Sequence, residues 1–140
     1  MYLLDTSIVS NYLDKGRNFP LLTNQLISTP PELIFISIIT VEEIIQGALA
    51  TIQKMRQKLA VKDAYKYFEK LFEALHSFQI LSYTNDAELI YQSLPSRVKR
   101  IGTQDCRIAA TACSKGYIVV TANVVDFEKI GIVQIQDWTR

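Results

Sequence analysis

The sequence predicts a three-layer α/β fold, in which a central, mainly parallel sheet of four or five strands carries helices on both faces. Short apolar segments rich in Ile, Val and Leu alternate with longer amphipathic segments along the chain. This alternation is the order expected of strands joined by right-handed helical crossovers. The clearest strand candidates are apolar on both faces, as parallel strands covered on both sides are. At 140 residues, we expect a single domain spanning residues 1–140.

The first part of the chain contains two strand candidates and two helices. Residues 1–4 are short and fully apolar, which predicts a strand, and residues 6–13 are typical of a helix. A second helix is expected over residues 18–29, and the two prolines that follow end it because proline cannot donate a backbone hydrogen bond. Residues 33–39 are β-rich and apolar on both faces, which predicts a buried parallel strand.

The middle of the chain is predominantly helical. Residues 41–76 contain no proline and one glycine, so they form one long helix or two helices in a hairpin. A short strand is expected over residues 79–83. A helix should follow over residues 85–94, and Pro95 ends it.

The last part of the chain returns to the alternating pattern. A helix begins at residue 103 or 104 and ends at Lys115-Gly116. Residues 117–121 are the clearest strand in the sequence, and residues 132–135 predict a final one.

Composition limits the classes of function. The formal net charge is +1, so a nucleic-acid partner must meet local basic patches rather than a global field. No apolar run reaches the roughly 18 residues of a membrane span, and the first residues lack the pattern of a signal peptide. We therefore expect a cytoplasmic protein with no membrane contact. The two cysteines and one histidine offer few ligands for a zinc site.

Three carboxylates, those of Asp5, Glu43 and Asp105, each stand where a strand or loop leads into a helix. Sites in parallel sheets form beyond the carboxyl ends of the strands, so the fold would bring these residues to one edge. Like charges in one cleft usually need a cation between them, and oxygen ligands suit a hard divalent cation. The pattern therefore predicts a metal-dependent enzyme.

Each carboxylate also has a structural explanation. Asp5 can cap the helix that follows it, and Thr40 with Glu43 matches a capping box. Asp105 in a first helical turn gains from the helix dipole. For any one residue the structural explanation is the simpler, but three such residues at one edge favour a shared cation.

Asp105 carries the strongest local argument for a site. It heads a helix face formed by Ile108, Ala109 and Ala112, the face that should pack on the sheet. A partly buried carboxylate there needs a cation or a positively charged partner.

Glu43 is less clear from its pattern. It lies nearly opposite the apolar stripe of its helix, so periodicity predicts an exposed side chain and leaves Glu42 as an alternative. Gly47 lies one turn further along the same face, where a missing side chain leaves room for a ligand. After the clearest strand, Asn123 or Asp126 could complete an oxygen shell, although both are also ordinary turn residues. Asn123 is favoured because it is nearer to the strand end.

Four segments together resemble the motifs of the PIN-domain family, specifically its VapC-like toxin ribonucleases. The matching segments are residues 2–7, 37–47, 105–110 and 120–127, with the pattern ending near Trp138. The resemblance implies a PIN-like fold and carries Asp5, Glu43 and Asp105 onto the family's acidic metal ligands. It selects Glu43 over Glu42. It also places Asn123 at the fourth site, where many relatives have Asp, and matches Thr6 to a small hydroxyl residue beside the first acid.

This resemblance implies a hydrolase: a Mg²⁺- or Mn²⁺-dependent endoribonuclease that is the toxin of a type II toxin–antitoxin system. The implied catalytic residues are Asp5, Glu43, Asp105 and Asn123, and the implied partners are an RNA substrate, a cognate antitoxin and a second copy of the chain. The alternative is a non-catalytic or RNA-processing PIN domain that binds RNA or protein, because a fold does not guarantee an activity. Retention of all three acids argues against that alternative.

Two other classes with acidic Mg²⁺ sites fit the sequence less well. A phosphotransfer signalling module requires paired acids after the first strand and a lysine after the last, and neither is present. A phosphatase of the Asp-x-Asp type is excluded because Ser7 occupies the position of the second acid.

Basic residues at two places are candidates for RNA binding. Arg97, Lys99 and Arg100 closely precede Asp105 and could bring phosphates to the metal. The second candidate is a row of lysines spaced every four residues: Lys54, Lys58, Lys62, Lys66 and Lys70. Acidic residues interrupt this row, so a solvated helix face is the favoured interpretation.

Overall fold

The computed structural model describes residues 1–14 and 19–140. Within these residues the centre of the molecule is a five-stranded sheet in the order β3-β2-β1-β4-β5, and every neighbouring pair is parallel. The strands are β1 (Tyr2–Leu4), β2 (Ile34–Ser37), β3 (Gln79–Leu81), β4 (Ile118–Val120) and β5 (Ile135–Gln136). The predicted parallel α/β architecture is confirmed.

Eight α-helices connect or flank the strands in the described part of the chain. They are α1 (Thr6–Leu13), α2 (Pro20–Ser28), α3 (Ile38–Gln57), α4 (Val61–His76), α5 (Asn85–Ser93), α6 (Ser96–Lys99), α7 (Thr103–Lys115) and α8 (Val124–Ile130). The predicted start of the second helix, at residue 18, lies outside the described residues. No helix among the described residues has both the length and the apolar character that crossing a membrane requires.

The structure decides several boundaries that the sequence leaves open or misplaces. Residues 41–76 form a hairpin, because the turn between α3 and α4 holds Leu59 at a positive φ of 62°. Helix α8 is not predicted by the sequence, since its first residues have the composition of a turn. Gly131, at a φ of 75°, ends it. The last strand begins at Ile135, three residues later than the pattern suggests.

The start of α3 corrects the predicted capping box. Ser37 is the N-cap, and its side-chain oxygen accepts from the backbone N of Thr40 at 3.1 Å. The helix therefore begins at Ile38, and Glu43 lies in the second turn rather than at the third helical position. Glu43 is too far along the helix for the reciprocal bond of a capping box, so this structural explanation is wrong.

Strand β1 lies at the middle of the sheet and pairs with both β2 and β4. Leu4, its last residue, is in register with Ile36 of β2 and Val120 of β4. The chain runs from β1 outward through β2 to β3, and then returns to the other side of β1 for β4. The order reverses between β1 and β4, and clefts form at the carboxyl ends of strands on either side of such a reversal. Asp5 directly follows β1 and Thr121 directly follows β4, so both lie at this point.

Two apolar cores cover the two faces of the sheet. Neighbouring strand residues point to opposite faces, and accordingly Leu3 belongs to one core and Leu4 to the other. The core of Leu3 contains Ile108, Ala109 and Ala112 of α7, all fully buried. This confirms that Asp105 heads the helix face that packs on the sheet.

Candidate active site

The carboxylate of Asp5 is buried at the end of β1, with 1% of the residue exposed. Its Oδ1 accepts from Ser7 Oγ at 2.7 Å and from the backbone N of Ile8 at 3.0 Å. Its Oδ2 accepts from Thr121 Oγ1 at 2.6 Å. Asp5 is thus the N-cap of α1, as the structural explanation required. The bond to Thr121 is additional, since a cap does not need it.

Glu43 reaches the same region from α3. Its Oε1 accepts from Thr6 Oγ1 at 2.7 Å, and Thr6 Oγ1 also lies 3.1 Å from Thr40 Oγ1. The side chain is half-buried, so the exposure expected from periodicity is wrong because α1 covers that face of the helix. Glu42 is exposed instead and accepts from Gln104 Nε2 at 2.7 Å. Of the two candidates, Glu43 is therefore the one that contacts the segment following Asp5.

Asp105 lies in the first turn of α7, as predicted. Burial, followed by the charges of Asp5, Glu43 and Asp126, raises its pKa to about 6. The pKa of Asp5 is also raised by burial; hydrogen bonds from Ser7, Thr121 and Ile8 oppose this rise, and the charge of Glu43 adds to it. A neighbouring charge shifts a pKa only when it lies nearby. The three predicted carboxylates therefore occupy one region, and Asp126 is part of it.

The two candidate residues after β4, Asn123 and Asp126, are placed differently from the expectation. Asn123 is exposed at the N-cap of α8, where its side chain makes no capping hydrogen bond. Asp126 is half-buried in the first turn of α8 and contributes to the raised pKa of Asp105. The sequence ranks Asp126 second because its pattern does not predict α8. A role for Asn123 at the metal stays a prediction, and the structure adds Asp126 as a candidate.

The charge balance of this region suits a cation. None of the four carboxylates forms an ion pair with a described lysine or arginine, and the ion pair within 4.0 Å among described residues joins Arg140 to Asp137. As the side chains stand, no group of three or more His, Cys, Asp or Glu within residues 1–14 and 19–140 is arranged to hold a metal ion. Mutual repulsion keeps unpaired carboxylates apart. A bound cation would offset this repulsion and let the carboxylates approach one another.

A cleft of about 1070 Å³ opens beside this region between α1, α3 and α4. Thr6 and Glu43 line it together with Gly47, Tyr67 and Lys70. A Cβ added at Gly47 would meet nothing within 4 Å, in agreement with the prediction that this glycine leaves room for a ligand. Lys70 is the member of the predicted lysine row that lines the cleft.

The basic residues before Asp105 have different surroundings. Arg97 and Arg100 are exposed, whereas Lys99 is half-buried and its Nζ donates to the backbone O of Gln92 at 3.2 Å. Lys99 Nζ also lies 5.1 Å from the centre of the Tyr91 ring. The guanidinium of Arg107 lies 5.2 Å from the same ring. The sequence offers no signal for this cluster, because the contact joins separate helices.

The chain is similar to a known domain family and to curated proteins that are named as nucleases. The sequence pattern of the PIN domain matches residues 2–133. The chain is 30% identical to Ribonuclease VapC1 of Haemophilus influenzae strain R2866 over 147 aligned positions, which cover 100% of this chain and 99% of that protein. It is also 35% identical over 107 positions to the tRNA(fMet)-specific endonuclease VapC of Salmonella typhimurium strain LT2, covering 74% of each chain.

A solved structure shares the fold over the full length. The structure of VapBC-1 from nontypeable Haemophilus influenzae contains a chain that superposes with a TM-score of 0.75 and is 28% identical. The match covers 99% of this chain and 98% of that one. The arrangement of strands and helices described above is therefore that of a known structural family.

Proposed function

The chain belongs to the PIN-domain family, and we propose that it is a Mg²⁺- or Mn²⁺-dependent endoribonuclease, the toxin of a toxin–antitoxin pair. The observation that carries the proposal is the set of carboxylates at the carboxyl edge of a parallel sheet. There the charges of Asp5, Glu43 and Asp126 all contribute to the raised pKa of Asp105. Four acids that pair with no described lysine or arginine are costly to bring together unless a cation neutralises them. Similarity to Ribonuclease VapC1 supports the same activity.

Asp5, Glu43 and Asp105 are the residues that would hold the cation, with Asn123 or Asp126 completing the oxygen shell directly or through water. The donor set is entirely oxygen, which suits Mg²⁺ or Mn²⁺. When bound, the cation supplies a Lewis acid for the phosphoryl oxygen and lowers the pKa of a coordinated water. Asp5 is held in place by three hydrogen bonds. Thr6 orients Glu43 at the edge of the cleft.

RNA would reach the carboxylates through the cleft between α1, α3 and α4. Lys70 in its wall, with exposed Arg97 and Arg100 before α7, offers positive charge for phosphates. Thr6 lines the cleft, bonded to Glu43, and would contact the RNA strand near the cleaved bond. Similarity to a tRNA(fMet)-specific endonuclease makes initiator tRNA the first substrate to test.

The proposed partners follow from the family and from the similarity to VapBC-1. We expect a cognate antitoxin that blocks cleavage, a homodimer and a cytoplasmic location. Purification of the chain alone and together with a candidate antitoxin, followed by light scattering, would measure the stoichiometry of both assemblies.

A cleavage assay with a matched pair of variants tests the proposal. The purified chain should cut RNA only when Mg²⁺ or Mn²⁺ is present, lose activity with EDTA and regain it when the metal is restored. Glu43→Gln should lower the cleavage rate at least about 100-fold, because it removes a charge from the metal site. Glu42→Gln is the control and should retain the rate, since Glu42 bonds Gln104 outside the cluster.

Two outcomes would count against this function. Cleavage that persists in EDTA would exclude the metal-dependent mechanism. Binding of RNA without cleavage in either metal would instead favour the non-catalytic, RNA-binding alternative.

A further inference from the structure

Both oxygens of the Asp5 carboxylate are held by hydroxyl groups that come from opposite ends of the chain. Ser7 Oγ donates to Oδ1, and Thr121 Oγ1, from the loop after β4, donates to Oδ2. Oδ1 also accepts from the backbone N of Ile8. A carboxylate oxygen offers about two lone-pair positions. Oδ1 is therefore fully used, whereas Oδ2 keeps one position that no described residue occupies.

The backbone of the loop after β4 sets the direction of both hydroxyl protons. Ala122 N donates to Ser7 Oγ at 3.2 Å, and Asn123 N donates to Thr121 Oγ1 at 2.8 Å. Each hydroxyl has a single proton, and an ionised carboxylate can only accept. Each hydroxyl therefore accepts from the loop and donates to Asp5, so that the loop controls the orientation of the carboxylate.

Burial makes this arrangement rigid. Thr121 is fully buried and Asp5 is 1% exposed, so water does not compete for the bond between them. Ser7 is half-buried. Hydrogen bonds to an ionised group are stronger than neutral ones, and their strength rises in a medium of low dielectric constant. A carboxylate held at both oxygens cannot rotate to offer its two oxygens equally.

We propose that Ser7 and Thr121 are positioning residues that present Asp5 to a divalent cation through Oδ2 alone, as a single-oxygen ligand. The proposal rests on the proposed function, because it assumes that Asp5 binds the cation. Binding through both oxygens would displace Ser7 or Ile8 from Oδ1 and leave a buried donor without a partner, which is costly. Ser7 and Thr121 touch neither the RNA nor the cation in this arrangement and act only through Asp5.

Paired substitutions at position 121 test the proposal. Thr121→Val keeps the shape of the side chain and removes the hydroxyl, whereas Thr121→Ser keeps the hydroxyl. Thr111→Val is a matched control, because Thr111 is also buried but its hydroxyl donates only to the backbone O of Arg107 at 2.8 Å. The measurement is Mn²⁺ binding to the full chain in the absence of RNA, by calorimetry and by electron paramagnetic resonance.

We expect Thr121→Val to weaken Mn²⁺ binding by about 10- to 100-fold, the usual effect of removing a group that orients a metal ligand. Thr121→Ser and Thr111→Val should bind Mn²⁺ as the unmodified chain does. Recovery of affinity in the serine variant separates a positioning hydroxyl from a merely structural side chain. Ser7→Ala should weaken binding in the same way and decides the matter if circular dichroism shows that Thr121→Val does not fold.

The outcomes that overturn this inference are distinct from those that overturn the function. If the unmodified chain binds Mn²⁺ and Thr121→Val or Ser7→Ala binds it equally well, the positioning role is wrong and the metal-dependent function stands. If the unmodified chain does not bind Mn²⁺, the metal-dependent function fails and this inference fails with it.

Discussion

At the scale of one residue, the free energies at Asp105 distinguish a structural role of its carboxylate from a functional one. Its position in the first turn of α7 gains about 0.3–1 kcal/mol from the helix dipole. The rise of its pKa from 3.8 to about 6 corresponds to about 3 kcal/mol, or about 1–2 kcal/mol after solvent screening of this half-buried side chain. The cost of ionisation exceeds the gain, so stability alone does not explain a carboxylate here.

The pH dependence of stability follows from this shift. Between about pH 4 and pH 6 the folded metal-free protein binds more protons at Asp105 than the unfolded chain does, so its free energy of unfolding falls as pH rises. Asp105→Asn removes this loss and should be about 1–2 kcal/mol more stable than the unmodified chain at pH 7, with little difference near pH 4. Urea unfolding of both proteins in EDTA at pH 4 and pH 7 measures this difference in the free energy of unfolding. A variant less stable at pH 7 would show that ionised Asp105 supports the fold.

At the scale of the element, helix α3 determines which acid enters the site. Ser37 and Thr40 are both able to cap a helix, and the sequence pattern favours Thr40. The parallel pairing of β2 keeps the strand extended only to Ser37, so the helix begins there. Thr40 then lies inside the first turn, with its hydroxyl beside Thr6, and Glu43 faces α1. A shift of three residues in the start of the helix thus decides how Glu43 is placed.

Substitutions at Gly47 test whether RNA occupies the cleft along α3. Because a Cβ at this position meets no atom within 4 Å, Gly47→Ala should raise the free energy of unfolding by about 0.5–1 kcal/mol through helix propensity. Gly47→Phe should fold but fill part of the cleft and slow RNA cleavage. Ala50→Phe, an exposed position on the same helix outside the cleft, is the control and should cleave normally. Normal cleavage by Gly47→Phe would show that RNA takes another path.

In the segment containing α6, we expect the positive charge of two arginines to contribute to RNA binding. Arg97 and Arg100 are exposed on either side of Val98, which is buried. Replacing both arginines by Ala should weaken RNA binding and lower the slope of log affinity against log salt by about one for each phosphate that the arginines neutralise. Lys62→Ala removes an exposed charge from α4 and should leave the slope unchanged. Equal slopes in both variants would show that RNA phosphates bind elsewhere on the protein.

At the scale of the whole molecule, the sheet order brings together segments that are far apart in the chain. Asp5 follows β1, Glu43 lies beyond β2, and Asp126 lies beyond β4. Asp105 joins them from the start of α7, the helix that precedes β4. A cation held by these residues would link four helices, α1, α3, α7 and α8, across the carboxyl edge. Repulsion among the acids weakens the metal-free fold at this edge, and cation binding should reverse that effect.

Metal binding should therefore stabilise the whole chain. At a Mn²⁺ concentration about 100 times the dissociation constant, the free energy of unfolding should rise by about 2.7 kcal/mol, provided that the unfolded chain does not bind the metal. EDTA should abolish the gain. Thermal unfolding with and without metal measures it, and Asp5→Asn should show no gain. Equal melting temperatures for the unmodified chain in Mn²⁺ and in EDTA would contradict a cation site.

Local signals in the chain are sufficient to predict the parallel α/β class, most of the strand positions and the candidacy of Asp5 and Asp105. These signals are apolar strands, helix-ending residues and the small-residue face of α7. The folded arrangement is needed to show that Glu43 is half-buried against Thr6, 37 positions away, and that Thr121 bonds Asp5, 116 positions away. It is also needed to show that the charge of Asp126 contributes to the raised pKa of Asp105. The periodicity of one segment contains no information about which side chains from another segment will cover it, because the packing of the sheet sets those contacts.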